Sequence, residues 1–303
     1  MGMTTKSPSA SPDFPVREFF QRFPDEQACL EHIMAVRFGG TLMDCPSCGV
    51  ESQFHKLRDR RVYACPHCLF QVAPTANTVL HDTRTPLVSW FYAMYLFVTT
   101  RHGVSGKELQ RQLGVTYKTA YRIGQQIRAL TSKAQGFDAL LSGHIELDEA
   151  YVGGRRSGGK RGRGAPGKTI VMGLAERNGR MKAVVIPDVK KDTLRGVVLD
   201  NVEPGATVST DELYSYNLLT GDGFEHGRVS HGKGEYAVYD YRSGNTFHVN
   251  TVEGFWRLFK ASIRSTHVQI SGKHMQRYLD EFTFRASNRG RVNGMFDLLV
   301  GAL

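Results

Sequence analysis

The sequence predicts an α/β protein in which a mixed sheet with flanking helices fills the C-terminal half and two small modules precede it. Three observations predict this: strand-like and helix-like patterns that alternate from His144 onward, two C-x-x-C pairs near the N-terminus, and two amphipathic helical segments separated by a glycine. The 303 residues, 41% of them hydrophobic, suffice for one sizeable core plus one or two small units and exceed one minimal domain.

Residues 1–16 are rich in Ser, Pro and Thr without periodicity and read as a disordered tail. A helical lead-in and a metal-binding ribbon are expected over 17–80. Phe19, Phe20, Phe23, Cys29, Leu30, Ile33 and Val36 allow two short helices, with Pro24 and Asp25 opening the second. Cys29 sits inside that apolar pattern and is expected to be a buried small hydrophobe. Cys45/Cys48 and Cys65/Cys68 each place two residues between thiolates, the spacing with which a tight turn grips one metal, and strand-like segments at Phe54–Leu57 and Val62–Ala64 lie between them. The opening MGMTTKSPSASPDFP lacks an apolar signal core, so the pairs are read as a closed structural Zn²⁺ site rather than as disulfides. His67 lies within the second pair, but four thiolates fill a tetrahedral site and leave it no place.

Residues 81–135 are expected to form a helix-turn-helix region. Leu87 to Thr99 are almost all apolar, yet only about a dozen residues long, which suits a buried helix and not a membrane span. Between Ser105 and Arg128, Leu109 and Leu113 form one apolar edge, Gly114 offers a tight turn, and Thr116 can cap a second helix carrying Ala120, Ile123 and Ile127. That helix is expected to display Tyr117, Lys118, Tyr121, Arg122 and Arg128, with Lys118, Tyr121 and Arg122 contacting DNA. The competing interpretation is a helical hairpin packed on Trp90–Phe97. Overall charge favours the polyanionic partner: 39 Lys and Arg against 29 Asp and Glu leave +10, with an isoelectric point near 9.4.

From 144 to 303 a catalytic domain is expected. Strand patterns run from His144, over Thr169–Ala175 and over Lys182–Ile186; a helix with Leu194, Val197, Val198 and Val202 follows, then a short strand at Thr207–Ser209 and closing helices near Val252–Ile263 and His274–Ser287. Asp148 ends the pattern His144-Ile-Glu-Leu-Asp and Asp211 follows Val208-Ser-Thr, so two strand-end carboxylates can share Mg²⁺ or Mn²⁺, hard cations that prefer oxygen. Glu149 and Glu212 are the neighbouring alternatives. Glu253 stands on a helix anchored by Val252, Phe255, Trp256, Phe259 and Ile263, and Arg257, Lys260 and Arg264 continue its face as a basic ridge. Arg155, Arg156, Lys160, Arg161 and Arg163 lie in the Gly-rich stretch 153–168, which reads as a mobile basic loop gripping DNA. His231 and His248 are placed to approach the same site.

Cys45 to Cys68, Leu147-Asp-Glu-Ala-Tyr-Val-Gly-Gly, Ser209-Thr-Asp-Glu, His248-Val-Asn-Thr-Val-Glu-Gly-Phe-Trp, and Glu253 with Lys260 seven residues later together resemble an insertion-sequence transposase of the DDE type, from the group with an N-terminal zinc ribbon and an RNase H-like, integrase-like core. The resemblance spans most of residues 17–290. It implies that Asp148, Asp211 and Glu253 hold the metal, with Lys260 contacting DNA near the cleaved phosphate. Related enzymes can use Asn at the third position, and Asn250 stands three residues before Glu253. The implied chemistry is two-metal cleavage and strand transfer on double-stranded DNA, at transposon ends and then at a target, with two ions per site. Tyr214 and Tyr216 follow Asp211, but no phosphate-clamping set of arginines surrounds them. A homodimer or larger assembly, no membrane contact and a nucleoid-associated cytoplasmic location are expected. The rivals are a zinc-dependent transcription regulator and an inactive transposase relative.

Overall fold

The computed structural model describes residues 14–136, 139–153, 168–230, 232, 234–290 and 292–303. Most of the expected tail, the loop residues Arg155, Arg156, Lys160, Arg161 and Arg163, and His231 lie outside the described residues.

Two short helices open the chain, α1 (Val16–Arg22) and α2 (Glu26–Phe38). Asp25 caps α2 by accepting from Ala28 N at 2.9 Å, and Gly39, at φ 75°, ends it in the left-handed conformation open to glycine. The ribbon follows as a hairpin of β1 (Leu42–Asp44) and β2 (Glu51–Gln53) and a three-stranded sheet of β3 (His55–Lys56), β4 (Tyr63–Ala64) and β5 (Gln71–Val72). Its two cysteine turns share one hydrogen-bond pattern: Gly49 N donates to Cys45 O and Leu69 N to Cys65 O, at 2.8 and 3.1 Å. All four Sγ atoms lie within 4.8 Å of one another, with Cys45–Cys68 at 3.5 Å and Cys48–Cys65 at 3.9 Å. Four thiolates at the usual Zn–S length in a tetrahedron stand about 3.8 Å apart, so the cluster fits a structural Zn²⁺.

The helical module comprises α3 (Leu87–Thr99), α4 (Gly106–Leu113) and α5 (Tyr117–Ala134). Ser105 caps α4, Gly114 at φ 63° closes it, and Thr116 caps α5, which is how this local sequence makes a helix-turn-helix. α3 buries residues on nearly every side, Trp90, Phe91, Met94 and Phe97 among them, because it runs through the middle of the N-terminal core. That core unites the lead-in helices, the ribbon residues Cys45, Phe54, Tyr63 and Cys65, the helix-turn-helix, and a closing helix from the far end of the chain.

The central sheet comprises β6 (His144–Val152), β7 (Thr169–Glu176), β8 (Met181–Ile186), β9 (Thr207–Thr210) and β10 (Glu225–Arg228), in the order β10-β9-β6-β7-β8. β6, β7 and β8 pair antiparallel, whereas β9 pairs parallel to both β6 and β10, so the sheet is mixed and RNase H-like. α6 (Lys191–Asn201) links β8 to β9 and covers one face with Leu194 and Val198. A hairpin of β11 (Val238–Asp240) and β12 (Asn245–Phe247) precedes α7 (Asn250–Ser262), and α7 with α8 (Met275–Ser287) covers the other face. The last helix, α9 (Val292–Gly301), leaves the sheet and enters the N-terminal core. There the ring of Phe296 lies 5.4 Å from those of Phe14 and Phe23 and 5.8 Å from that of Phe91.

α5 packs on α8 through a buried ion network. Arg128 Nε donates to Glu281 Oε2 at 2.8 Å and Nη2 to Val104 O at 3.1 Å, while the guanidinium lies 4.0 Å from the Tyr278 ring centroid. Arg285 Nη2 lies 3.2 Å from the other Glu281 oxygen. Arg128 is therefore not displayed for DNA, as its charge had suggested; it is 3% exposed. It falls in the buried stripe Ala120, Ile123, Gly124, Ile127, which sets its direction more strongly than its charge does. Removing the acid from such a network leaves buried guanidinium charge uncompensated. Glu281→Ala should therefore lower the unfolding free energy by about 3–5 kcal/mol in urea titration; a loss under about 1 kcal/mol would show that the network does not hold the two modules together.

Candidate active site

β6 carries two acids on the face covered by α7, Glu146 and Asp148, one pleat apart. Glu146 is fully buried, and its carboxylate receives the start of α7: Thr251 N at 2.7 Å, Thr251 Oγ1 at 2.9 Å and Val252 N at 3.3 Å. Arg177 Nε reaches the same carboxylate at 3.3 Å and His248 Nδ1 lies 3.0 Å from it. A buried carboxylate with this many donors is well compensated, and the negative charge at a helix N-terminus matches the helix dipole. The effect is to pin the first turn of α7, one residue before Glu253, to the strand that bears Asp148.

Asp148 does not end its strand. β6 continues to Val152 because β7 pairs along its whole length, Asp148 opposite Gly173. What stops short is the parallel neighbour: β6 and β9 pair through Glu146 and Ser209, and carrying that register two residues further sets Asp148 beside Asp211, just past the end of β9. Asp211 is held in a tight turn, accepting from Leu213 N at 2.9 Å. α7 lies directly over this spot because Gly173 has no side chain; a Cβ there would stand 2.7 Å from Trp256 and 2.8 Å from Val252.

The electrostatics follow from this crowding. Burial first, and then the charges of Asp211 and Glu253, push the Asp148 carboxyl up to about 7, against the partial relief of Lys260. The Lys260 ammonium is drawn below its usual range by burial, opposed by Asp148 and reinforced by Lys168 and Arg264. The structure thus brings Asp148, Asp211, Glu253 and Lys260 into one electrostatic cluster. Arg257 and Arg264 lie exposed on the same helical face, with Arg264 Nε donating to Lys260 O at 3.3 Å.

The alternatives face elsewhere. Glu149 points through the other face of the sheet, where the Tyr216 hydroxyl donates to it, and Glu212 accepts from Ser230 Oγ. Tyr216 is thereby buried on the far side, and Tyr214 is 77% exposed. Asn250 lines a cleft bounded by Arg101, Phe255 and Leu258. On α5, Lys118 is exposed, Arg122 is exposed with its guanidinium 5.6 Å from the Trp90 ring, and Tyr121 packs against His274 with ring centroids 6.3 Å apart. Glu146 and Gly173 were missed by sequence reasoning. The available signal for Glu146 was a carboxylate two residues before Asp148 inside an otherwise apolar strand, which demands buried partners.

A mixed α/β sheet with clustered acids thus stands behind a four-cysteine ribbon in one chain. Residues 140–287 match the ISXO2-like transposase domain and residues 24–71 the transposase zinc-ribbon domain. Over 260 residues, 80% of this chain and 84% of the other, the chain is 30% identical to an uncharacterized protein in transposable element ISH50 of Halobacterium salinarum. It is also 26% identical, over 41% of its own length and 97% of the other's, to an uncharacterized transposase-like protein of Haemophilus influenzae. The chain belongs to the transposase family that carries the ISXO2-like domain. Among the described residues no helix is long and apolar enough to cross a membrane.

If the close seat of α7 depends on Gly173, then Gly173→Val should lift the helix at Val252 and Trp256, cost about 1–3 kcal/mol from overpacking, and red-shift Trp256 fluorescence in a Trp90→Phe background. An unshifted spectrum with unchanged stability would show that α7 does not rest on this position.

Proposed function

We propose that this transposase cuts DNA at the ends of its element and joins them to a target, with Asp148, Asp211 and Glu253 as the ligands of Mg²⁺ or Mn²⁺. The observation that carries the reading is the Asp148 carboxyl, raised by burial and by two neighbouring acids, since acids crowded in this way are relieved by a bound dication. The donor set, all carboxylate oxygen, fits a hard cation. Bound there, two divalent ions supply the Lewis acidity that activates a water or a 3′-hydroxyl and stabilises the leaving oxygen.

The chain's own residues do the rest. β6 and the turn after β9 hold Asp148 and Asp211 side by side, and Glu146 together with Gly173 fixes the helix that brings Glu253 over them. Lys260, with Arg257 and Arg264 along the same face, gives the DNA backbone a basic ridge next to the carboxylates. Lys118, Tyr121 and Arg122 on the capped recognition helix are the groove-facing contacts, and the structural zinc braces the module behind them. Joining two ends to a target calls for at least two protomers, so the working form is a homodimer or larger.

Cleavage and strand transfer on a supercoiled plasmid carrying the element's ends, with Mg²⁺ or Mn²⁺, tests the reading. Wild type should cut and join, while Asp148→Ala, Asp211→Ala and Glu253→Ala still bind but cut slower by on the order of 10³-fold or more; equal binding by all four with no cutting by wild type would favour a DNA-binding regulator.

The raised Asp148 carboxyl also sets a pH dependence. Well below its ordinary carboxylate range the group is neutral whether folded or unfolded; as pH rises toward about 7 the unfolded chain ionises first, so the group's contribution to metal-free stability is progressively lost. A cation must displace the same proton. Mn²⁺ affinity measured by calorimetry should therefore fall roughly tenfold between pH 8 and pH 6, and an affinity flat over that interval would remove Asp148 from the ligand set.

A further inference from the structure

The surface between the recognition helix and the carboxylates carries a succession of cationic side chains. Lys107 and Lys118 are exposed at the helix-turn-helix, Lys107 with its ammonium 4.9 Å from the Tyr117 ring centroid. Tyr121 leads to His274 across 6.3 Å. His274 closes the short turn Gly272–His274, flanked by exposed Lys273 and Arg277. That turn touches the sheet: a Cβ on Gly272 would stand 3.1 Å from Thr169 Oγ1 at the start of β7. Lys168 precedes Thr169, and four residues along the strand Gly173 pairs with Asp148. A strand covers four residues in about 13 Å, so the path from Tyr121 through His274, Gly272 and Thr169 to the Asp148 position is at most roughly 35 Å, about one turn of B-DNA at about 34 Å.

We propose that Lys118, Lys273, Lys168 and Lys260 form one phosphate-binding track, so that the recognition helix and the carboxylates of the same protomer act on one DNA duplex, in cis. The inference rests on the cutting chemistry proposed above only for what happens at the carboxylate end. Its geometry is enforced by the joint between the modules. Arg128 of α5 is bonded to Glu281 of α8, and α8 begins at the very turn that carries Lys273 and His274. That buried ion network holds recognition helix, turn and sheet in one orientation, so the four lysines are set within a single protomer.

Two measurements on full-length protein decide it. In the first, the salt dependence of binding is measured on a short duplex of the element's end. Each phosphate contact contributes about 0.9 to the slope of log affinity against log salt, so Lys168→Gln combined with Lys273→Gln should lower the slope by about two, whether or not the protein cuts; an unchanged slope overturns the track. In the second, Asp148→Ala and Lys118→Glu proteins are mixed in equal amounts with the end-bearing plasmid. With recognition and cutting in cis, neither protomer is complete and cutting stays at the level of either variant alone; restored cutting places the two functions in different protomers and overturns the proposal. Wild type that shows the slope but never cuts would count against the proposed chemistry and leave the track standing.

Discussion

The C-terminal half of the molecule depends on one buried carboxylate meeting one helix end. Glu146 accepts from the first turn of α7 and is offset by Arg177, so a charge that would be costly alone becomes the fixed point from which Glu253 is positioned. Without it, α7 would rest on apolar contacts that resist separation but not sliding, because hydrophobic burial has no direction. Gly173 supplies the complementary constraint by letting Trp256 and Val252 approach the sheet opposite Asp148. A directional anchor at the helix start and a close apolar seat along its length together leave the third acid little freedom.

The same logic joins the modules. The N-terminal core is built from lead-in helices, ribbon, helix-turn-helix and α9, all of which contribute to one shared apolar cluster. The Arg128–Glu281–Arg285 network then couples that core to α8 beneath the sheet. Buried ionic contacts add little net stability over apolar packing of equal volume, but they tolerate few alternative arrangements. Here they fix the orientation of the helix-turn-helix relative to the sheet.

Features encoded locally were legible in the sequence. The cysteine spacing is sufficient for the ribbon, because each turn closes within its own residues. Ser105, Gly114 and Thr116 spell the caps of two helices, and Asp211 sits in the turn its residue type favours. Long-range features were not. Glu146 finds its partners at residues 251 and 252, more than a hundred positions away, and nothing near it in sequence announces them. Asp148 suggested a strand end because it closes the pattern His144-Ile-Glu-Leu-Asp, yet pairing with β7 carries the strand on to Val152. Arg128 is the instructive error: the 3.6-residue period already placed it inward, and its charge argued the other way.

The position of α9 has a consequence for synthesis. Phe14, Phe19 and Phe23 are among the earliest described residues to leave the ribosome, whereas Phe296, which covers them, is among the last. Until that helix arrives, the N-terminal core has an open apolar flank and its contacts of longest sequence separation are unmade. A product ending after the sheet would lack the helix that closes the N-terminal core, so that core is completed only after the sheet has been made.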